Sequence, residues 1–261
     1  MSEAAVAVPL VPRRVPPIVD HLAGIVAIVI AWQVYVTATD APAYMLPAPG
    51  AVGGALADLA ISGALWRDLG FTFGNVVFGL VLGALAGFAL GFVLAKSPTL
   101  ERWLDGPILL LQTAPKIALA PLFVIWFGFG TTSKIVLIVS LVLFPVLVAT
   151  IVGLRGVPQN ALELARILKL TTWQRLMRVE LPMALPEIFI GLRIGAVQAV
   201  VGAILGEWMS GKLGLGHLMT FASATYKTPL LFAAVLLTVA LGIAVHVSLE
   251  AAERRLLRWK Q

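Results

Sequence analysis

The chain has 261 residues, a formal net charge of +6, 60% hydrophobic residues and only 12% charged ones. Soluble domains use ~45–50% apolar and ~25% charged residues, so this composition excludes a soluble globular protein and points to a membrane protein. Cysteine is absent, which excludes a disulfide framework and thiol chemistry.

Six apolar stretches emerge once the polar punctuation is removed: Ile18 to Thr37, Leu69 to Ala95, Pro107 to Phe127, Ile135 to Gly153, Ile188 to Met209 and Leu230 to Leu249. Each is near the ~20 residues that cross a bilayer as a helix, and the short alternating segments of a membrane β-barrel do not occur. The first stretch follows Arg13 and Arg14 and precedes Ala41-Pro42-Ala43, which resembles a signal-peptidase site. Its apolar region exceeds the ~7–15 residues of a signal core, so an uncleaved first helix is expected.

In the outer region that follows, Leu46-Pro47-Ala48-Pro49 reads as extended chain, and Ala51 to Ile61 as a short interfacial helix. The second crossing carries Gly79, Gly83, Gly87 and Gly91. A four-residue period keeps them on one helix face, where another backbone can approach closely. That face reads as a packing seam, inside the protein or with a twin subunit, or alternatively as a hinge or sliding surface. In the third crossing Lys116 lies between Pro115 and Pro121, and a broken helix there would free backbone groups that must face protein or a cavity. Charged and polar groups at membrane depth are functional candidates by default. Lys116, Gln112, Arg193, Gln198, Glu207 and His246 are such groups, with Lys116, Arg193, Gln198 and Glu207 assigned to a translocation path or gate. Arg193 also reads as an interface anchor, and Glu207 as a partner for Lys212 or a contact for an outer receptor.

Between the fourth and fifth crossings stands a polar interlude, NALELARILKLTTWQRLMRVELPMALPE, from Asn160 to Glu187. Asn160 with Glu163, and Thr171 with Gln174, each have capping-box spacing, which predicts two short helices closed by Pro182 and Pro186. Leu164, Ile167 and Leu168 share one face of the first, and Trp173, Leu176 and Met177 one face of the second. On periodicity alone these helices could lie on lipid headgroups.

Segment GEWMSGKL, Gly206 to Leu213, nearly spells a phosphate-binding loop, but Leu213 has no hydroxyl for magnesium and the segment follows a membrane helix. His21, His217 and His246 are scattered, and no metal-binding or paired-carboxylate constellation supports catalysis.

With the N-terminus in the cytoplasm, thirteen of the nineteen Lys and Arg residues fall inside: Arg13 and Arg14, Lys96 and Arg102, Arg155 just before the interlude with Arg166, Lys169, Arg175 and Arg178 within it, and Arg254, Arg255, Arg258 and Lys260 in the tail. The positive-inside bias therefore sets both termini and the interlude in the cytosol, with Trp259 as an interfacial anchor. It also accounts for the net charge without nucleic acid as a partner.

Glu163-Leu164-Ala165, then Lys169, Val179 and Leu181-Pro182 follow the pattern E-A-A, three residues, G, nine residues, I, one residue, L-P. This resembles the cytoplasmic motif of permease subunits in binding-protein-dependent, type I ABC importers. Further likeness comes from LPAP at 46–49, PKIALAPLFVIWFGFG at 115–130, FPVLVATIVGL at 144–154 and GLRIG at 191–195. Together these resemble the taurine, alkanesulfonate and nitrate subfamily. Lys169 stands where the motif usually has glycine, and Leu164 where alanine is commoner.

The resemblance implies an all-α, polytopic permease of about six transmembrane helices, forming one domain over residues 1–261 with a cytoplasmic coupling-helix loop at 154–186. It implies a bacterial inner-membrane importer that works by alternating access as a homodimer or a heterodimer with a similar chain. Two cytosolic ATPase subunits would carry the ATP and magnesium, so this chain would itself be no enzyme and hold no cofactor. An extracytoplasmic solute-binding protein would deliver the solute. Glu163, Ala165, Arg166, Ile167, Leu168 and Lys169 would dock the ATPase. Lys116 and Arg193 would favour an anion such as a sulfonate or nitrate. The rival reading is an ion-coupled carrier or channel.

Overall fold

A computed structural model describes residues 17–257; Arg13, Arg14, Arg258, Trp259 and Lys260 lie outside them. The described residues form helices and no strands. In chain order these are α1 (Pro17–Thr39), α2 (Pro49–Ile61), α3 (Ala64–Lys96), α4 (Pro98–Thr113), α5 (Ala120–Phe127), α6 (Thr131–Arg155), α7 (Gln159–Ile167), α8 (Thr172–Arg175), α9 (Leu181–Ser210), α10 (Leu215–Ala224) and α11 (Thr228–Leu256). A π-helical turn, Leu176–Glu180, joins α8 to α9. Among the described residues, four runs are each long and apolar enough to cross a membrane: α3, α6, Thr172–Met209 and α11.

The centre of the molecule is α6, held between α3 and α9. A β-carbon built on Gly79 would lie 2.5 Å from Ile138 Cγ2, one on Gly83 2.7 Å from Val142 Cβ, and one on Gly91 2.8 Å from Thr150 Cβ. On the other side of α6, Gly202 faces Ile138, Gly195 faces Val142, and Gly191 faces Val146. Ile138, Val142 and Val146 are thus gripped from both flanks and are fully buried. The second-crossing glycines therefore form a seam inside the protein. In a bilayer, where lipid is as apolar as leucine, such close packing supplies the dispersion contacts that hold helices together.

The order of these contacts fixes direction. Along α3 the partners on α6 rise from Ile138 to Thr150, so the two helices run parallel; along α9 they fall, so α9 runs antiparallel. Chain leaving α3 at Lys96 must therefore return before entering α6 at Thr131, and α4 with α5 makes that return. The apolar stretch from Pro107 to Phe127 is two helices separated at 114–119, the break that Pro115 and Pro121 suggested. Pro115 and Pro121 cannot donate to a continuing ladder, and short bonds such as Ala118 N to Pro115 O at 2.8 Å satisfy the break locally.

Two differences from expectation lie in the loops. The segment after the fifth crossing contains α10, whose Leu215, Gly216, Met219 and Ala222 are buried against the bundle. The second helix of the interlude is not a separate element, because α8 runs through the π-helical turn into α9. Pro182 lacks the amide that would bond Arg178, and Leu181 N–H reaches back five residues to Leu176 O. Pro182 thus sits in the first turn of α9 and Pro186 inside it; neither closes a helix.

The seam gives a direct test. At Gly87 a β-carbon would come within 2.5 Å of the Leu143 carbonyl oxygen, a backbone atom with nowhere to move, whereas Gly74 faces open space. Gly87→Ala should destabilise the protein by about 1–3 kcal/mol, read as a lowered melting temperature in detergent, and Gly74→Ala should leave it within about 0.5 kcal/mol.

Candidate functional site

Helix α7 begins at Gln159 with Pro158 in the cap position, so Asn160 lies within the first turn and makes no capping box with Glu163. The second box is present: Gln174 N bonds Thr171 Oγ1 at 3.2 Å, and Thr171 N bonds Gln174 Oε1 at 3.0 Å. Between them the chain reverses through a Schellman turn. Leu170 N bonds Ala165 O at 3.0 Å and Lys169 N bonds Arg166 O at 2.9 Å. Lys169 holds the left-handed position of that turn, with φ of 50°. A β-carbon is disfavoured there, which is the physical reason a glycine suits the position.

The turn folds α7 back on itself so that Ala165 is buried against the following segment, while Glu163, Leu164, Arg166, Ile167, Leu168 and Lys169 are exposed. Ile167 is 76% exposed, Leu168 61% and nearby Trp173 65%. An apolar groove of about 540 Å³ lies alongside, lined by Leu164, Leu168, Leu170, Val179, Pro182 and Met183 among others. Of the six residues assigned to docking, Ala165 faces the protein and the other five face out.

Following α9 away from this loop leads to a cavity of about 480 Å³ bounded by the broken third crossing, α6 and α9. Gln112, Lys116, Glu187 and Gln198 are its polar lining, set in an apolar wall that includes Phe144 and Ile194. The Lys116 ammonium donates to Gln112 O at 2.9 Å and sits 4.6 Å from the centre of the Phe144 ring. It thereby satisfies a carbonyl at the free end of α4, where the break leaves acceptors open.

Two of the four residues assigned to the path, Lys116 and Gln198, meet in this cavity. Arg193 does not: its guanidinium Nε lies 3.6 Å from Glu253 and ties α9 to α11. Glu207 is also elsewhere, fully buried where α10 docks. Its carboxylate accepts from Thr72 Oγ1 at 3.0 Å, Gly216 N at 2.9 Å and Asn75 Nδ2 at 3.4 Å. Asp68 accepts from Gly214 N at 3.1 Å, Thr72 from Leu215 N at 2.9 Å, and Lys134 attracts Glu207 electrostatically. Gly214 has φ of 106° and its β-position would fall on the Glu207 carboxyl, so only glycine fits this corner. Glu207 therefore secures the entry to α10; Lys212 is exposed and is not its partner. His246 is half-buried on α11.

Residues 79–258 match the model of the binding-protein-dependent transport system inner membrane component. The chain belongs to that family. It is thus a permease subunit of the ABC-importer class, a multi-pass protein of the inner membrane. It is 35% identical over 233 residues to the riboflavin transport system permease protein RibX of Chloroflexus aurantiacus, covering 89% of this chain and 87% of that one. To the putative aliphatic sulfonates transport permease protein SsuC of Bacillus subtilis it is 34% identical over 235 residues, 90% of this chain and 85% of the relative. To the taurine transport system permease protein TauC of Escherichia coli it is 33% identical over 195 residues, 75% and 71% of the two chains. A solved MetNI methionine ABC transporter chain shares the permease fold, with a TM-score of 0.60 over 75% of this chain and 95% of that chain at 20% identity.

Sequence reasoning missed Glu187 of the cavity, although a carboxylate one residue after a proline inside an apolar run is a visible signal. It also missed Asp68, Thr72 and Asn75, which lie some 130–145 positions from the residues they bind.

Two outcomes follow for this permease. Lys169→Gly should relieve the left-handed strain by about 1 kcal/mol, slowing amide exchange at Leu170 roughly five-fold, and Lys169→Val should speed it. Glu207→Ala should strand the buried donors of Thr72 and Gly216 at a loss of about 1–3 kcal/mol, with a melting temperature below that of Gln198→Ala.

Proposed function

We propose that this permease is driven by ATP hydrolysis on two separate cytosolic subunits, each docked on α7 of one copy in a homodimer. A soluble extracytoplasmic receptor would deliver the solute. The observation that carries the reading is continuity. An exposed apolar face at Leu164, Ile167 and Leu168 is joined through α8 and the π-helical turn to α9, which supplies Glu187, Ile190, Gly191, Ile194 and Gln198 to the cavity wall. Exposed apolar residues on a short helix flanked by Glu163, Arg166 and Lys169 suit a partner groove with an apolar floor and charged rim. The basic residues of this loop and of the tail support a cytosolic placement for it and for both termini. ATP and magnesium then belong to the partner subunits, and this chain contributes alternating access to the cavity, a two-state equilibrium biased by nucleotide on the motor.

For the solute we infer a small organic anion, such as a sulfonate. Lys116 is the cation of the cavity lining, and the sulfonate and taurine permeases among the relatives support the choice. A second reading, a neutral heterocycle, is favoured by Glu187 in the same lining and by the riboflavin permease.

The test is to co-express permease, ATPase and receptor, reconstitute them in vesicles and measure solute uptake and ATP hydrolysis together. Glu163→Arg combined with Leu168→Asp should lower uptake by at least about ten-fold through loss of docking. Unchanged uptake in that variant, or uptake by the lone chain on a proton gradient, would refute the reading. Stimulation by alkanesulfonates but not riboflavin separates the two solute classes.

A further inference from the structure

The motif that marks the loop leaves one position open between Val179 and Leu181, and Glu180 occupies it. This residue ends the π-helical turn and is 4% exposed. Its carboxylate lies between two cations. Arg175 Nε is 2.8 Å from Oε1, and Lys96 Nζ contacts Oε2. Arg175 belongs to the loop, while Lys96 is the last residue of α3. Among the described residues, hydrogen bonds and ion pairs join segment 159–180 to α3 only through this contact.

We propose that Glu180 is a positioning residue that delivers the motor's movement to α3 as well as to α9, through its ion pair with Lys96. The proposal rests on the reading of α7 as the motor's docking point. Two features give a second tie a role. The covalent route into α9 passes through a single π-helical turn, Leu176–Glu180, a departure from regular α-helix of the kind often found at functional sites. Moreover, α6 is gripped on one flank by α3 and on the other by α9. Force entering α9 alone would load the seam at Gly191, Gly195 and Gly202 from one flank, whereas force entering α3 and α9 together loads α6 evenly from both. Burial strengthens the tie: a carboxylate removed from water needs its cations, so the arrangement resists separation more than a surface pair would.

The experiment uses the complete permease–ATPase–receptor complex in vesicles with Lys96→Gln and Lys96→Arg. Lys96→Gln breaks the tie to α3 and leaves Arg175–Glu180 intact, so the ATPase should co-purify as with the unaltered permease. Solute uptake per ATP hydrolysed should fall about ten-fold, and Lys96→Arg should restore it to within about two-fold. Unchanged uptake per ATP in Lys96→Gln overturns the proposal, as does a proportional fall in uptake and hydrolysis, which is what a structural role alone would produce. Should Lys96→Gln be too unstable to purify, Lys96→Met, which also removes the cation while Arg175 still pairs Glu180, is read the same way. Absence of the ATPase from the unaltered complex overturns the docking reading itself, and this inference with it.

Discussion

Close backbone contact on both sides of α6 is the constraint from which the rest of the architecture follows. Two glycine stripes, one on α3 and one on α9, meet the same buried residues Ile138, Val142 and Val146. A helix gripped this way has no freedom to rotate or slide independently, because each glycine surface admits one register of the opposing side chains and interiors so packed do not deform continuously. The three helices therefore behave as one block. It is this block that sets α3 and α6 parallel, forces the chain to return through α4 and α5, and presents α6 and α9 together to the cavity.

The other cavity wall is of a different kind. Helix α4 has no buried residue, and the third crossing is cut at 114–119, where Lys116 closes the open end of α4 by donating to Gln112 O. One wall is thus a rigid block and the other a broken segment held by few contacts. The polar groups Gln112 and Lys116 belong to the broken wall. A continuous, well-packed third crossing would have removed that asymmetry.

The crossings, their order and the family's cytoplasmic loop motif were legible because each is a local pattern: apolar run length, a four-residue glycine period, or motif spacing. The α3 stripe was readable for this reason, and the matching stripe Gly191, Gly195, Gly202 and Gly206 was equally present but interrupted by a seven-residue step. What escaped were pairings between distant segments. Glu207 looked like a pathway carboxylate from its depth in an apolar run, yet its role is set by Thr72 and Asn75 on α3 and by Gly216 on α10. Arg193 was likewise redirected by Glu253, sixty positions away on α11. The Asn160 cap failed for a local reason, since the helix starts two residues earlier, with Pro158 in the cap position. Depth and charge identify a side chain that must have a partner, but they do not say which partner.

Glu207 and Glu180 show how the same residue type produces opposite mechanical results at the two ends of the block. Glu207 is satisfied chiefly by the Gly216 backbone amide and the short side chains of Thr72 and Asn75, which are fixed in place by their own helices. Such a network is stiff, because every donor is positioned by the fold and none can follow a displacement. Glu180 is satisfied instead by Lys96 and Arg175, long side chains about a third exposed whose stems can extend and swing. The cavity, lined by α6 and α9, lies between a network of short, fixed donors at one end and a buried ion-pair cluster of long side chains at the other.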